Sequence, residues 1–207
     1  KKLIIEESEL EKKKIELQKI FENKAFELQY LEQNKTRITG ISARIRDEIM
    51  LNIGLQNKED LPFAAELIKI KNSEKNWESA IERLLHSFGL RLLVSKDYYS
   101  QVNHYVKNNN LKGLLVYHLV ESKQQLLQFI SSDKNTINTK IEIKPDSDFR
   151  DWVEMFINQH YNHICTNDDI EFQRCKKAIT ETGLIKDESR HEKDDRQTSL
   201  DKSKYIL

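Results

Sequence analysis

The densest run of side chains able to do chemistry is His191-Glu192-Lys193-Asp194-Asp195, one imidazole and three carboxylates in five positions. Such a set could ligate a divalent cation or supply the general base of a hydrolase or nuclease. A helical zinc protease needs a second histidine four residues away with a glutamate between them, and His191 has no such partner. Arg190, Lys193 and Arg196 interleave with the acids, so the run also reads as a self-compensating, solvated segment. The remaining candidates are sparser. His86 falls near the end of an expected helix, where the helix dipole favours an imidazolium, and His160 and His163 flank Tyr161 at an expected helix-to-strand junction. Cys165 and Cys175 are the only cysteines, and two thiols ten apart make neither a disulfide framework nor a zinc site. Gly40, Gly54, Gly89, Gly113 and Gly183 are never closer than 14 residues, so neither glycine-rich phosphate-binding loop can be written. We read no catalytic, cofactor-binding or metal site from these positions.

Helices must carry most of these residues. Gly 5 and Pro 2 in 207 residues leave too few chain reversals for a turn-dense β-sandwich. Lys+Arg 34 balances Asp+Glu 34, so no bulk charge points to nucleic acid or a membrane. A basic face could still arise locally, from Lys69, Lys71, Lys75, Arg83 and Arg91 or from Arg190, Lys193, Arg196, Lys202 and Lys204. The longest stretch free of charged residues, Met155–Asn167, has 13 residues and is too short to span a bilayer. With no signal peptide visible, a reducing cytoplasm is the expected compartment. A chain opening on Lys1 rather than Met reads as an excised segment.

In residues 1–52, Leu3, Leu10, Leu17, Leu31, Ile38 and Ile45 recur at seven-residue spacing, interrupted by Lys24. That period is the seam of a left-handed coiled coil. Glu6, Lys13 and Asn34 interrupt the second apolar row, and Thr39-Gly40 is a candidate break that would leave Ile41–Leu51 as a separate short helix. An unbroken helix of this length would run roughly 75 Å. That exceeds the width of the remaining domain, so the arm needs another helix as partner, from a second chain or a returning segment.

Beyond Leu61 the period changes. Ala65–Ile70 reads as a strand and Trp77, Ala80, Ile81, Leu84, Leu85 and Phe88 as one helical face with Ser73 as N-cap. Leu90–Val94 reads as a buried strand, Tyr98, Val102, Tyr105 and Val106 as a helix, and Gly113–Val120 as another strand. After a polar connection at 121–135 the order repeats. Ile137–Ile143 is an expected strand, Phe149, Trp152, Val153, Phe156 and Ile157 a helical face, and Ile164-Cys165 a short strand. A helix from Asp168 through Phe172, Cys175 and Ile179 follows, then apolar Gly183-Leu184-Ile185. The expected fold is α+β, with two β-α-β-α-β half-domains at about 61–120 and 137–207 inside a domain of residues 53–207, preceded by a coiled-coil arm.

Leu61-Pro62-Phe63-Ala64-Ala65-Glu66-Leu67-Ile68 and Trp77 through Leu90, with Leu111–Tyr117, Arg190–Arg196 and Ser203–Leu207, carry a family resemblance covering about Arg37 to Leu207. The chain resembles the middle of the SMC-like subunit of Wadjet plasmid-defence systems, the JetC, EptC or MksB family. This resemblance implies a hinge domain at the tip of an antiparallel coiled coil, formed of two subdomains and homodimerising through them. It further implies ATP- and Mg-dependent heads elsewhere in the protein, a returning coiled-coil helix after Leu207, kleisin and accessory subunits, and extrusion of DNA loops by the complex. No catalysis is expected in this segment. Members carry a basic residue after the glycine matching Gly113, where this chain has Leu114, which removes one expected DNA contact.

The expected dimer interface is Gly113, Leu114, Leu115, Val116, Gly183, Leu184 and Ile185, where small residues allow close backbone approach. The expected DNA contacts are Arg190, Lys193, Arg196, Lys202 and Lys204. Two other readings stay open: a metal-dependent nuclease or hydrolase centred on His191–Asp195, and a plain coiled-coil adaptor dimerising through residues 1–52.

Overall fold

A computed structural model describes residues 9–22, 38–121, 135–196 and 201–207. The heptad positions Leu3, Lys24 and Leu31, the interruptions Glu6 and Asn34, and most of the polar connection (122–134) lie outside the described residues. Helix α1 (9–22) presents Leu10, Ile15, Leu17, Ile20 and Phe21, each at least half exposed. Ile38 and Ile45, on the same heptad row, are instead buried in the body. Ile38 and Thr39 are not helical, and Gly40, at φ +70, opens a separate helix α2 (Gly40–Ile53). A separate helix thus begins at Gly40 as expected, and the apolar row is exposed on α1 and buried at Ile38 and Ile45.

Helix α2 buries Ile45, Ile49 and Met50 against Leu61, Phe63, Leu92, Val94 and Val102, one of two hydrophobic clusters. The second gathers Ile68, Ile70, Ile81, Leu85, Phe88, Leu93, Ile137, Ile141, Val153, Ile157 and Ile179. Strand β2 (Leu92–Ser95) runs between the two. Its pleat sends Leu92 and Val94 to one cluster and Leu93 to the other, which explains why the strand reads as continuously apolar.

Two expected strands are shorter than their apolar runs. Within Ala65–Ile70, residues Ala64–Leu67 form a 3₁₀ turn and only β1 (Ile68–Ile70) is extended. The Glu66 carboxylate accepts the Phe63 amide at 2.9 Å, a local bond that a strand would have to give up. Likewise Ile137–Lys140 is a helical turn, α5 in chain order, and only β4 (Ile141–Ile143) is extended. There the Thr139 hydroxyl donates to the Thr136 carbonyl and the Ile137 amide to His163.

Strand β1 pairs antiparallel with β4, Lys69 facing Glu142 between two isoleucine pairs. The two halves thus share a sheet. Ser73 lies inside a 3₁₀ turn (Asn72–Trp77) and is not the N-cap, and helix α3 (Glu78–Gly89) follows Trp77. Helix α4 (Lys96–Asn108) crosses over between β2 and the parallel strand β3 (Tyr117–Val120). Residues 113–116 precede β3 instead of belonging to it, and Lys112 before them sits at φ 49, which an extended run does not allow.

Helix α6 (Arg150–His160) follows β4. Asp168 caps helix α7 (Asp169–Arg174), accepting from the Glu171 amide at 2.7 Å, as its position suggested. The helix does not continue through Cys175 to Ile179. Lys186 Nζ donates to the Phe172 and Gln173 carbonyls, stopping α7 there, and Lys177–Ile179 becomes strand β6. Strands β5 (Ile164–Cys165), β6, β7 (Leu184–Asp187) and β8 (Arg190–Lys193) form a four-stranded sheet in that order. The β8 strand went unread because it is fully exposed and charged, without an apolar alternation to reveal it.

An aromatic seam closes the two halves. Phe88 on α3 stacks on Phe156 of α6 at 4.9 Å between centroids and lies 5.6 Å from Tyr161. Trp152 stacks on Phe156 at 4.9 Å, and His118 on β3 meets both rings. Arg91 Nη1 lies 3.2 Å from His118 Nε2, so the neutral imidazole accepts from the guanidinium.

His118 and His163 both titrate below the usual 6.5, chiefly because burial disfavours the charged ring, with Arg91 and His160 adding repulsion at His118. The unfolded chain therefore binds protons that the folded one refuses. Stability is full above 6.5 and falls as pH drops through it toward the depressed folded values. Urea unfolding at pH 7.5 and pH 5.5 is expected to give a lower midpoint at the acidic pH, and the double variant His118→Phe/His163→Phe a smaller difference. Equal midpoints for the unsubstituted protein would contradict this.

Candidate self-association surface

Two sheets end in strands with one neighbour each among the described residues. In the two-stranded sheet β3 is bonded only to β2, and in the four-stranded sheet β8 is bonded only to β7. An edge strand offers a row of unused amides and carbonyls to a second chain. The chain entering β3 also exposes apolar side chains, Leu114 at 81% and Val116 at 43%. Leu115 is half-buried and packs against the α2 cluster.

Both expected interface glycines have close neighbours within the chain. A Cβ at Gly113 would overlap Ile41 of α2, and one at Gly183 would overlap the Arg83 guanidinium of α3. Both glycines are used within the chain. Gly183 also sits at φ +81, a turn conformation suited to glycine. Leu184 and Ile185 follow it on β7, half-buried, with Ile185 packed on the main core and paired to Ile179. They lie one strand in from the β8 edge.

The basic candidates are largely neutralised by carboxylates of the same chain. Arg190 pairs with Glu192 and Lys193 Nζ reaches Asp195 at 3.1 Å. Arg196 grips Asp194 with Nε at 2.8 Å and Nη2 at 2.7 Å. Lys202 Nζ contacts Glu78 at 2.9 Å. Hydrogen bonding to those acids, then their charge, raises the Arg196 and Lys202 pKa values. Lys204 is exposed. Exposed pairs of this kind contribute little to stability, but a phosphate would have to displace the acid to use the cation.

Strand geometry also disperses the His191–Asp195 cluster. On β8, His191 and Glu192 project to opposite faces, and His191 lies beside the Phe172 ring at 6.2 Å. Among the described residues no three His, Cys, Asp or Glu side chains converge as a metal site would require. Cys165 is buried and its thiol is pushed up to about 12, mainly by burial, so it is a weak nucleophile at neutral pH. Among the described residues no helix is long and apolar enough to cross a membrane.

Sequence reasoning missed Glu82, a carboxylate only 3% exposed. Its Oε1 accepts the Ile206 amide and its Oε2 the Leu207 amide, each at 3.1 Å, and His86 Nδ1 lies 2.8 Å from Oε1. A signal was present: Glu82 borders the apolar stripe of α3, where an unpaired acid would be costly.

No family model and no curated protein matches the chain. Solved structures do. A cohesin structure described as a folded elbow superposes with a TM-score of 0.55 at 17% identity, covering 96% of this chain. This chain spans 30% of that one's length. The SMC hinge domain of Geobacillus stearothermophilus, solved as an asymmetric dimer, superposes with a TM-score of 0.53 at 16% identity, covering 88% of this chain and 76% of that one. The chain therefore has the fold of an SMC hinge domain.

Proposed function

We propose that this chain is the hinge module of an SMC-like protein, pairing with a second copy to join two coiled-coil arms. The observation that carries the reading is the hinge fold itself, with the edge strands β3 and β8 each bonded to one neighbour among the described residues. The similar Geobacillus hinge being a dimer supports self-association. A C2 pair that set the β3 edge of one copy against the β8 edge of the other would form two equivalent contacts. The exposed apolar seam of α1 would be covered by a returning helix of the full protein.

The sequence resemblance takes the proposal further, to the SMC-like subunit of a Wadjet-type plasmid-defence complex. In that setting ATP and Mg are handled by head domains elsewhere, kleisin and accessory subunits bind outside this segment, and the complex extrudes DNA loops in the cytoplasm. This segment performs no turnover. DNA contact through Arg190, Lys193, Arg196, Lys202 and Lys204 would be weak and salt-sensitive, since four of the five are paired to acids.

Sedimentation at micromolar concentration tests the central claim. A dimer is expected, and it should survive deletion of residues 1–37, the part of the arm outside the folded body, which separates the hinge from a coiled-coil adaptor. Leu114→Glu/Val116→Glu alters only exposed side chains and should weaken association at least tenfold with an unchanged circular dichroism spectrum. A monomer throughout, also with the following residues of the full protein included, would refute the hinge reading. Divalent-dependent cleavage of DNA by the segment alone would favour the nuclease.

A further inference from the structure

We infer that residues 201–207 are a latch, seated along one stripe of α3 and holding the two hydrophobic clusters together, that opens as a unit without unfolding the body. The stripe is Glu78, Glu82, His86 and Gly89, spaced four, four and three, which places them on one helical face. Each level but one meets the segment directly. Glu78 takes Lys202 at 2.9 Å. Glu82 takes the consecutive amides of Ile206 and Leu207, and His86 braces its Oε1. A Cβ at Gly89 would stand 2.9 Å from Ile206 Cδ1 and 3.0 Å from the Ala65 side chain, so the absence of a side chain there makes the seat for Ile206.

Glu82 is the chemical core of the seat. One buried carboxylate satisfies two successive backbone donors, an arrangement that binds main chain whatever side chains it carries. Side chains then set what is gripped: Tyr205 is buried, Ile206 packs on the α2 cluster, and Leu207 touches both clusters. Opening is nonetheless cheap relative to the body. The 3₁₀ turn Lys202–Lys204 is exposed, and this segment contributes no strand to any of the three sheets.

The inference stands whether or not the chain self-associates. Its test is amide hydrogen exchange on the full chain, read on peptides covering 201–207, α3 and the β7–β8 hairpin. In the unsubstituted protein 201–207 should be protected, yet exchange at least tenfold faster than the α3 interior. Glu82→Gln retains one acceptor oxygen and turns the other into a donor, so exchange at 206 and 207 should rise a further tenfold or more. Gly89→Ala, which crowds the Ile206 seat and leaves Glu82 intact, should do the same to a smaller degree. In both, the hairpin should keep its protection. Two results overturn the latch: exchange of 201–207 at free-peptide rates in the unsubstituted protein, or exchange of 201–207 in step with α3 in all three proteins.

Discussion

Phe88→Ala is expected to lower stability by about 3–5 kcal/mol, the range for emptying a fully buried phenylalanine site. Phe88 is 0% exposed and is the α3 contribution to the aromatic seam. Its ring lies nearly parallel to Phe156, 8° between planes, and Arg91 sits 5.8 Å above it. The loss therefore combines the transfer of a large apolar group, a stacked pair and a cation–π contact. Because Phe156 and Tyr161 come from the other half of the chain, the halves should also lose cooperativity. Denaturant unfolding followed by tryptophan fluorescence checks this, since Trp152 stacks on Phe156 within the seam. Phe88→Leu should recover more than half of the loss. A cost below about 1 kcal/mol, the size of an ordinary surface change, would mean that the seam does not hold the halves.

Arg46 gives the second large effect. Its side chain is 0% exposed on α2, with Nη1 2.6 Å from Glu66 and the guanidinium 4.7 Å from the Phe63 ring centre. The same Glu66 oxygen accepts the Phe63 amide, so one carboxylate joins α2 to the turn ahead of β1. Arg46→Ala is expected to cost about 3 kcal/mol, because removing one partner leaves the other acid poorly solvated and opens a void. Replacing both partners is different. Arg46→Met/Glu66→Gln keeps volume, allows sulfur to rest on Phe63, and leaves an oxygen for the Phe63 amide. It should lie within about 1 kcal/mol of the unsubstituted protein. A double variant no better than Arg46→Ala would show that the charge itself is required.

Both effects rest on residues that the sequence reveals unequally. Phe88 was legible because helix α3 is long and strictly periodic, and its stripe could belong only to a core. The same periodicity located α4, α6 and the separate α2 behind Gly40. Local chemistry competing with the ladder erased parts of strands instead: the Glu66 cap shortened β1, the Thr139 bond shortened β4, and lysine capping ended α7 early. The pairing of β1 with β4 was invisible, since partner choice over that separation is a property of the whole fold. Arg46 and Glu82 were hidden for a related reason. A charge in a list of charges announces nothing until its partner is placed beside it. The hinge resemblance located the architecture, and the edge strands β3 and β8 of the described residues give it a physical meaning. Of the expected contact residues, Leu114 and Val116 are exposed, and Gly113 and Gly183 lie against Ile41 and Arg83 of the same chain.

The bonds from Glu82 to Ile206 and Leu207 span 124 and 125 residues. During synthesis at the ribosome, α3 must wait with an unsatisfied acid until nearly the whole segment has emerged. Because the body keeps its fold with the latch open, the seating of residues 206 and 207 would come last, as a step separate from the closing of the body.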